Sequence, residues 1–156
     1  YQSVLKRRNT KLNRFFNKFI LEHGPAASWA LSVIATLGSL YFSEVRGFIP
    51  CTYCWFSRIL MYPLVVILGI AAVRKDYGQA VYVLPLSFMG MGMAGFHYLT
   101  QKTALFAHAG NSCGIVPCNV EYINWLGFIT IPFLALVAFT GITILQILIL
   151  RASRNQ

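Results

Sequence analysis

A four-helix transmembrane bundle, all α, with an amphipathic interfacial helix at its N-terminus is the architecture that three features of this chain predict. Its 156 residues are 57% hydrophobic and 11% charged, against about 45–50% and about 25% in soluble proteins. A water-soluble domain of this size has too little interior to hide so much apolar side chain. Four apolar stretches of bilayer length follow one another, at about 24–43, 55–73, 77–99 and 125–150. The cations that give the net charge of +9 cluster beside those stretches. That placement points to anionic lipid headgroups rather than to nucleic acid.

Residues 1–23 are basic and aromatic. Arg7, Lys11, Arg14 and Lys18 recur at i, i+4, i+7 and i+11, with Leu12, Phe15, Phe16 and Phe19 on a neighbouring face. The pattern predicts an amphipathic helix lying in the membrane surface; a disordered basic tail is the alternative. The first apolar run starts only after about twenty residues, with no small-residue cleavage site before a soluble domain, so no signal peptide is expected. Opening on Tyr1 implies that a start residue precedes it. Gly24-Pro25 is expected to break the chain, with Pro25 in the first turn of a new helix.

The first span ends at Glu44 and Arg46, and the segment 44–54 turns into Cys51. The second span carries Arg58 one turn inside it and stops at Arg74-Lys75-Asp76. The third contains Pro85 and Gly90, Gly92 and Gly95, small residues that let a neighbouring helix approach closely. A polar loop over 100–124 follows, then the fourth span and a short tail, 151–156.

Lys and Arg orient the bundle. Ten lie in the N-terminal segment, the 74–75 loop and the tail; Arg46, Arg58 and Lys102 lie on the other side. Both termini are therefore expected in the cytoplasm and loops 44–54 and 100–124 outside. All four cysteines, Cys51, Cys54, Cys113 and Cys118, fall in those outward loops. Outside the cytoplasm disulfides form and persist. The C-x-x-C and C-x-x-x-x-C pairs admit three readings: structural staples, a zinc site, or redox pairs that exchange electrons. The oxidising location argues against zinc, and no metal is expected. A ring of two intervening residues restrains little of the unfolded chain, so it makes a poor staple and a good redox centre.

Redox chemistry in so small a chain needs an outside acceptor, and no haem or flavin motif is present. Membrane quinone is the acceptor dissolved around it. Arg58, four residues after Cys54 and one turn deeper, supplies a cation for a quinone oxygen or a Cys54 thiolate; snorkelling to the interface is its bland reading. Trp55 and Phe56 are candidates to line the ring site, although interfacial belt residues look the same. His97, near the outward end of the third span, is a candidate hydrogen-bond donor or proton shuttle. His108 stands beside the second pair, where it could tune a thiol; His23 is on the cytoplasmic side.

Cys51-Thr52-Tyr53-Cys54-Trp55-Phe56-Ser57-Arg58, the His97-Tyr98-Leu99-Thr100-Gln101 run closing the third span and a second cysteine pair before the fourth resemble the bacterial disulfide bond formation protein B (DsbB) family. The likeness covers about residues 24–150 and is nearer to the family's short branch, the BdbC type of Gram-positive bacteria. It implies a thiol:quinone oxidoreductase in the bacterial plasma membrane. Such a protein reoxidises an extracytoplasmic thioredoxin-fold thiol oxidase of the DsbA or BdbD kind. By that likeness Cys113 takes the partner's attack, Cys118 resolves it or pairs with Cys113, Cys51 and Cys54 accept the electrons, and Arg58 and His97 belong to the quinone site, with menaquinone favoured over ubiquinone. Ser57 stands where some members carry an acid, and the second pair is closer in sequence than in the longer branch. A vitamin K epoxide reductase-like enzyme would carry its C-x-x-C late in the chain. The rival from another class is a non-enzymatic membrane protein stapled by two disulfides.

Overall fold

The computed structural model describes residues 2–111, 114–118 and 121–155. It is helical, with α1 over Gln2–Leu40, α2 over Thr52–Arg74, α3 over Ala80–Lys102, a short α4 over Ala104–Asn111 and α5 over Ile131–Arg154. The chain is an all-α membrane protein, with four helices long and apolar enough to cross a bilayer. The long helices form a closed ring in which α1 packs on α2, α2 on α3, α3 on α5 and α5 on α1. Leu64, Leu68, Val83, Phe139 and Ile142 fill the centre, with Leu31 and Ala35 of α1 against them. Large apolar side chains such as Ile34, Val66, Phe88 and Ile144 point outward and are exposed. In water that surface would aggregate; in a bilayer it meets acyl chains.

α1 corrects the expected break at Gly24-Pro25, because the helix runs unbroken through Pro25. Proline removes the bond its own N–H would make to the carbonyl of Leu21, and its ring crowds that carbonyl. Packing on both sides outweighs that loss. Ile20 and Leu21 are buried against Ile149 and Ala152 of α5. A Cβ at Gly24 would come within 2.9 Å of Ile149, so the missing side chain lets α5 lie close against this turn. The N-terminal basic segment is thus the first part of a 39-residue helix, about 58 Å long at 1.5 Å per residue. A π-helical turn over Tyr41–Val45 extends it.

Two boundaries shift. α3 starts at Ala80 rather than 77, because the Asp76 carboxylate accepts from the Gly78 N–H and holds a turn there. The fourth span starts at Ile131 rather than 125: Trp125 and Ile129 pair across a tight turn with Leu126 and Gly127 at φ 55° and 82°. The polar loop is also not wholly irregular, since α4 occupies its first part. That loop is tied to α3 by Lys102 and Glu121, 2.9 Å apart.

Helices α3 and α5 make the closest approach. A Cβ at Gly90 would fall 2.2 Å from the ring of Phe139, so only glycine admits that ring. Below it, Thr143 donates to Ser87 at 3.0 Å and Gln79 donates to Gln146 at 2.9 Å, both buried. Interhelical hydrogen bonds of this kind hold helices together where lipid removes the hydrophobic drive.

Candidate functional site

Cys51 caps α2 in an extended conformation (φ −76°, ψ 174°), and its carbonyl accepts from the Trp55 N–H. Cys54 lies in the first turn. Cys51 and Cys54 are free thiols whose sulfurs are 3.3 Å apart, within hydrogen-bond reach of each other. Cys51 is buried, and the unpaired N–H groups of the α2 N-terminus favour negative charge beside it. Its pKa is held well below the ordinary thiol range, to about 4. The Cys54 thiol hydrogen bond is the largest cause and His97 the next lowering one, both working against burial.

The sign of that shift gives a test. A lowered pKa keeps Cys51 as thiolate through neutral pH, whereas an ordinary thiol protonates below about 8.5. Ultraviolet thiolate absorbance of the reduced protein is expected to persist as pH falls through 7. In Cys54→Ala, which removes the largest cause, the midpoint should rise. A wild-type midpoint near 8.5 would count against this electrostatic account.

His97 is 2% exposed and sits against Cys51 and Cys118. Its Nε2 is 3.0 Å from the Cys118 carbonyl oxygen and 3.6 Å from Cys51 Sγ. Tyr53 meets its ring edge-on at 5.5 Å between centroids. The donor atoms of Cys51, His97 and Cys118 all lie within 4.8 Å of one another. They would form a metal set only with Cys118 as a free thiolate, and Cys118 is disulfide-bonded. Cys113 lies outside the described residues. His108 is exposed on α4, and His23 bonds the Phe19 carbonyl in the N-terminal half of α1.

Cys54 faces elsewhere. It lines a cleft of about 390 Å³ walled by α1, α2 and α5, with Arg58 and His97 among its polar groups. That volume lies in the range of small-molecule sites, and the lining is mostly apolar with a few polar groups at one end. Arg58 is anchored on α1. Its Nε donates to Ser39 Oγ at 2.9 Å and a terminal nitrogen donates to the Ser39 carbonyl at 3.1 Å. The guanidinium also lies 5.4 Å from the Trp55 ring.

Trp55 and Phe56 depart from the expectation. Neither lines the cleft, and both are about half exposed on the outer face of α2. Trp55 backs Arg58 from outside. Three cleft-lining residues escaped the sequence reading: Ser39, which anchors Arg58; Tyr122, stacked on Phe48 at 4.8 Å; and Tyr62. Tyr62 follows Arg58 by four residues, the spacing that places Arg58 after Cys54, and that repeat was its available signal.

Residues 25–149 match the family model described as disulfide bond formation protein DsbB. The chain is 52% identical over 130 residues to the "Probable disulfide formation protein C 1" of Bacillus anthracis, covering 83% of this chain and 94% of that protein. It is 54% identical over 123 residues to the "Disulfide bond formation protein C" of Bacillus subtilis (strain 168), covering 79% and 89%. The "Probable disulfide formation protein" of Coxiella burnetii (strain Dugway 5J108-111) shares 44% over 113 residues, covering 71% and 76%. No solved structure matches.

Proposed function

The chain belongs to the DsbB family of disulfide bond formation proteins, and from that membership we propose a thiol:quinone oxidoreductase that reoxidises an extracytoplasmic thioredoxin-fold thiol oxidase. One observation carries the reading: the two sulfurs of a single C-x-x-C face different places. Cys51 faces His97 and Cys118, while Cys54 faces the cleft with Arg58.

The proposed sequence of exchanges is balanced in electrons. A thiolate of the partner attacks Cys113 of a Cys113–Cys118 disulfide; its second thiol releases an oxidised partner, and the two electrons stay on Cys113 and Cys118. Cys118 thiolate then attacks Cys51 of a Cys51–Cys54 disulfide, and Cys54 leaves as thiolate. Cys113 attacks Cys118, which restores the outer disulfide and leaves Cys51 and Cys54 reduced. Free thiols at Cys51 and Cys54 beside a disulfide-bonded Cys118 match that stage. A low Cys51 pKa makes it a good leaving group in the last exchange.

The cleft suits a quinone by its volume, its apolar walls and the cation at its Cys54 end. Quinone supplies a two-electron, two-proton acceptor. Arg58, fixed by Ser39, places positive charge where negative charge develops, and burial raises the worth of that charge. His97 holds a proton at Nε2 within reach of Cys51. The basic first half of α1 would lie against anionic lipid, both termini in the cytoplasm, with the cysteine loops outside the bacterial plasma membrane. Menaquinone is the favoured acceptor.

Purified protein in lipid nanodiscs, given a reduced thioredoxin-fold partner and a menaquinone analogue, should reduce one quinone per partner disulfide formed. Partner oxidation that proceeds equally without quinone would refute the assignment.

A further inference from the structure

Gly47 at φ 68° turns the chain back after the π-helical turn, and the Phe48 N–H donates to the Phe42 carbonyl at 3.0 Å. That turn lays the Phe48 ring on Tyr122, with 4.8 Å between centroids and 12° between planes. Phe42 stacks on the same ring at 6.1 Å and 15°. All three side chains line the cleft. Phe48 belongs to the segment before α2 and Tyr122 to the segment before α5, so the pair joins two separate loops. Tyr122 also borders a second cavity, of about 20 Å³, that reaches Cys51, Cys54 and His97. A space of that size holds about one water molecule. Tyr122 is 39% exposed, so one side of the pair lies open while the other meets the cleft that Cys54 lines.

We propose that Phe48 and Tyr122 determine which thiols can feed the site: their stacked rings roof the cleft and keep small soluble thiols off Cys54, so that electrons enter through the outer cysteine pair alone. This rests on the quinone reading and the outward loops proposed above. Stacked rings in van der Waals contact leave no passage between them. The reaction kept out needs no protein partner. One small thiolate would attack Cys54 of a Cys51–Cys54 disulfide and expel Cys51 as thiolate. A second would attack the sulfur that the first had attached, giving a small-molecule disulfide and Cys54 thiolate. Two electrons would then pass to quinone while no partner gained a disulfide. The roof turns that loss into a choice of donor, since only the exposed loop that carries the outer pair remains as a way in.

The test uses the full chain in lipid nanodiscs with Cys51, Cys113 and Cys118 changed to serine, which leaves Cys54 as its single thiol. Two probes are compared, a cationic methanethiosulfonate that lipid excludes and N-ethylmaleimide, which lipid admits. Phe48→Ala and Tyr122→Ala should each speed cationic labelling about 10-fold, the scale of one aromatic pair, with little change in maleimide labelling. Tyr122→Phe keeps the ring and should label as its parent does. With Cys51 and Cys54 intact and only Cys113 and Cys118 as serine, Phe48→Ala should also let glutathione drive quinone reduction that its parent does not support. Cationic labelling that stays at the parent rate in both alanine variants overturns the barrier. Equal acceleration by both probes assigns the stack to holding the fold and likewise overturns it. Faster cationic labelling without glutathione-driven quinone reduction upholds the barrier and counts against the quinone reading.

Discussion

Cys54→Ser should abolish quinone reduction, by about 1,000-fold or more, while leaving Cys51 able to react with Cys118. The geometry separates the two outcomes. Cys54 lines the cleft, whereas Cys51 Sγ lies within 4.8 Å of Cys118 Sγ across His97. A serine at 54 cannot close the inner ring, so electrons reaching Cys51 have no route onward. The lone Cys51 thiolate can still attack the disulfide at Cys118, expelling the sulfur bonded to it. A Cys51–Cys118 linkage should therefore accumulate, read by alkylation and peptide mass spectrometry. Cys51→Ser should lose turnover equally without that linkage. Turnover that survives Cys54→Ser would remove the basis of the proposed route.

Arg58→Gln is the second large effect. It should lower kcat/KM for quinone about 10- to 100-fold, the scale of losing one charge-assisted hydrogen bond of about 1.5–3 kcal/mol. Thiol exchange between the partner and the outer pair should be unchanged, because Arg58 faces the cleft. Arg58→Lys should fall between the two. Lysine keeps the charge but cannot hold the Ser39 hydroxyl and carbonyl together as the guanidinium fork does. Stopped-flow quinone reduction and a separate partner-exchange assay distinguish the two halves. If both rates dropped together, Arg58 would be holding the fold rather than serving the cleft.

The number of spans and the place of Cys51 and Cys54 at the head of the second were legible, because bilayer length and charge placement are coarse properties that lipid imposes on any sequence. Arg58 was legible for the same reason, since a cation inside a span is conspicuous. The orientation of Trp55 and Phe56 was not. In water, apolar residues mark the inward face of a helix; in lipid both faces are apolar, and nothing in the pattern separates the cleft side from the acyl-chain side. Pro25 misled because the breaking rule weighs one lost hydrogen bond against little else. The tight seat of Gly24 on Ile149 is a long-range contact that no local pattern encodes. His97 was placed at the right end of its helix, yet its position against both Cys51 and Cys118 depends on the path of the loop to Cys118.

The three-residue separation of Cys51 and Cys54 has a further consequence. On the proposed route the inner ring must open at Cys51 before that sulfur can join the outer pair, and must close again before the cleft side is served. One sulfur cannot be bonded in both directions at once, so the two compartments connect in alternation, as through an airlock. His97 at 2% exposure and Cys51 at 6% form the bulkhead. Small thiols and dioxygen arriving from either side would find the passage shut, and leakage between exported proteins and the respiratory pool would be held down by chain geometry alone.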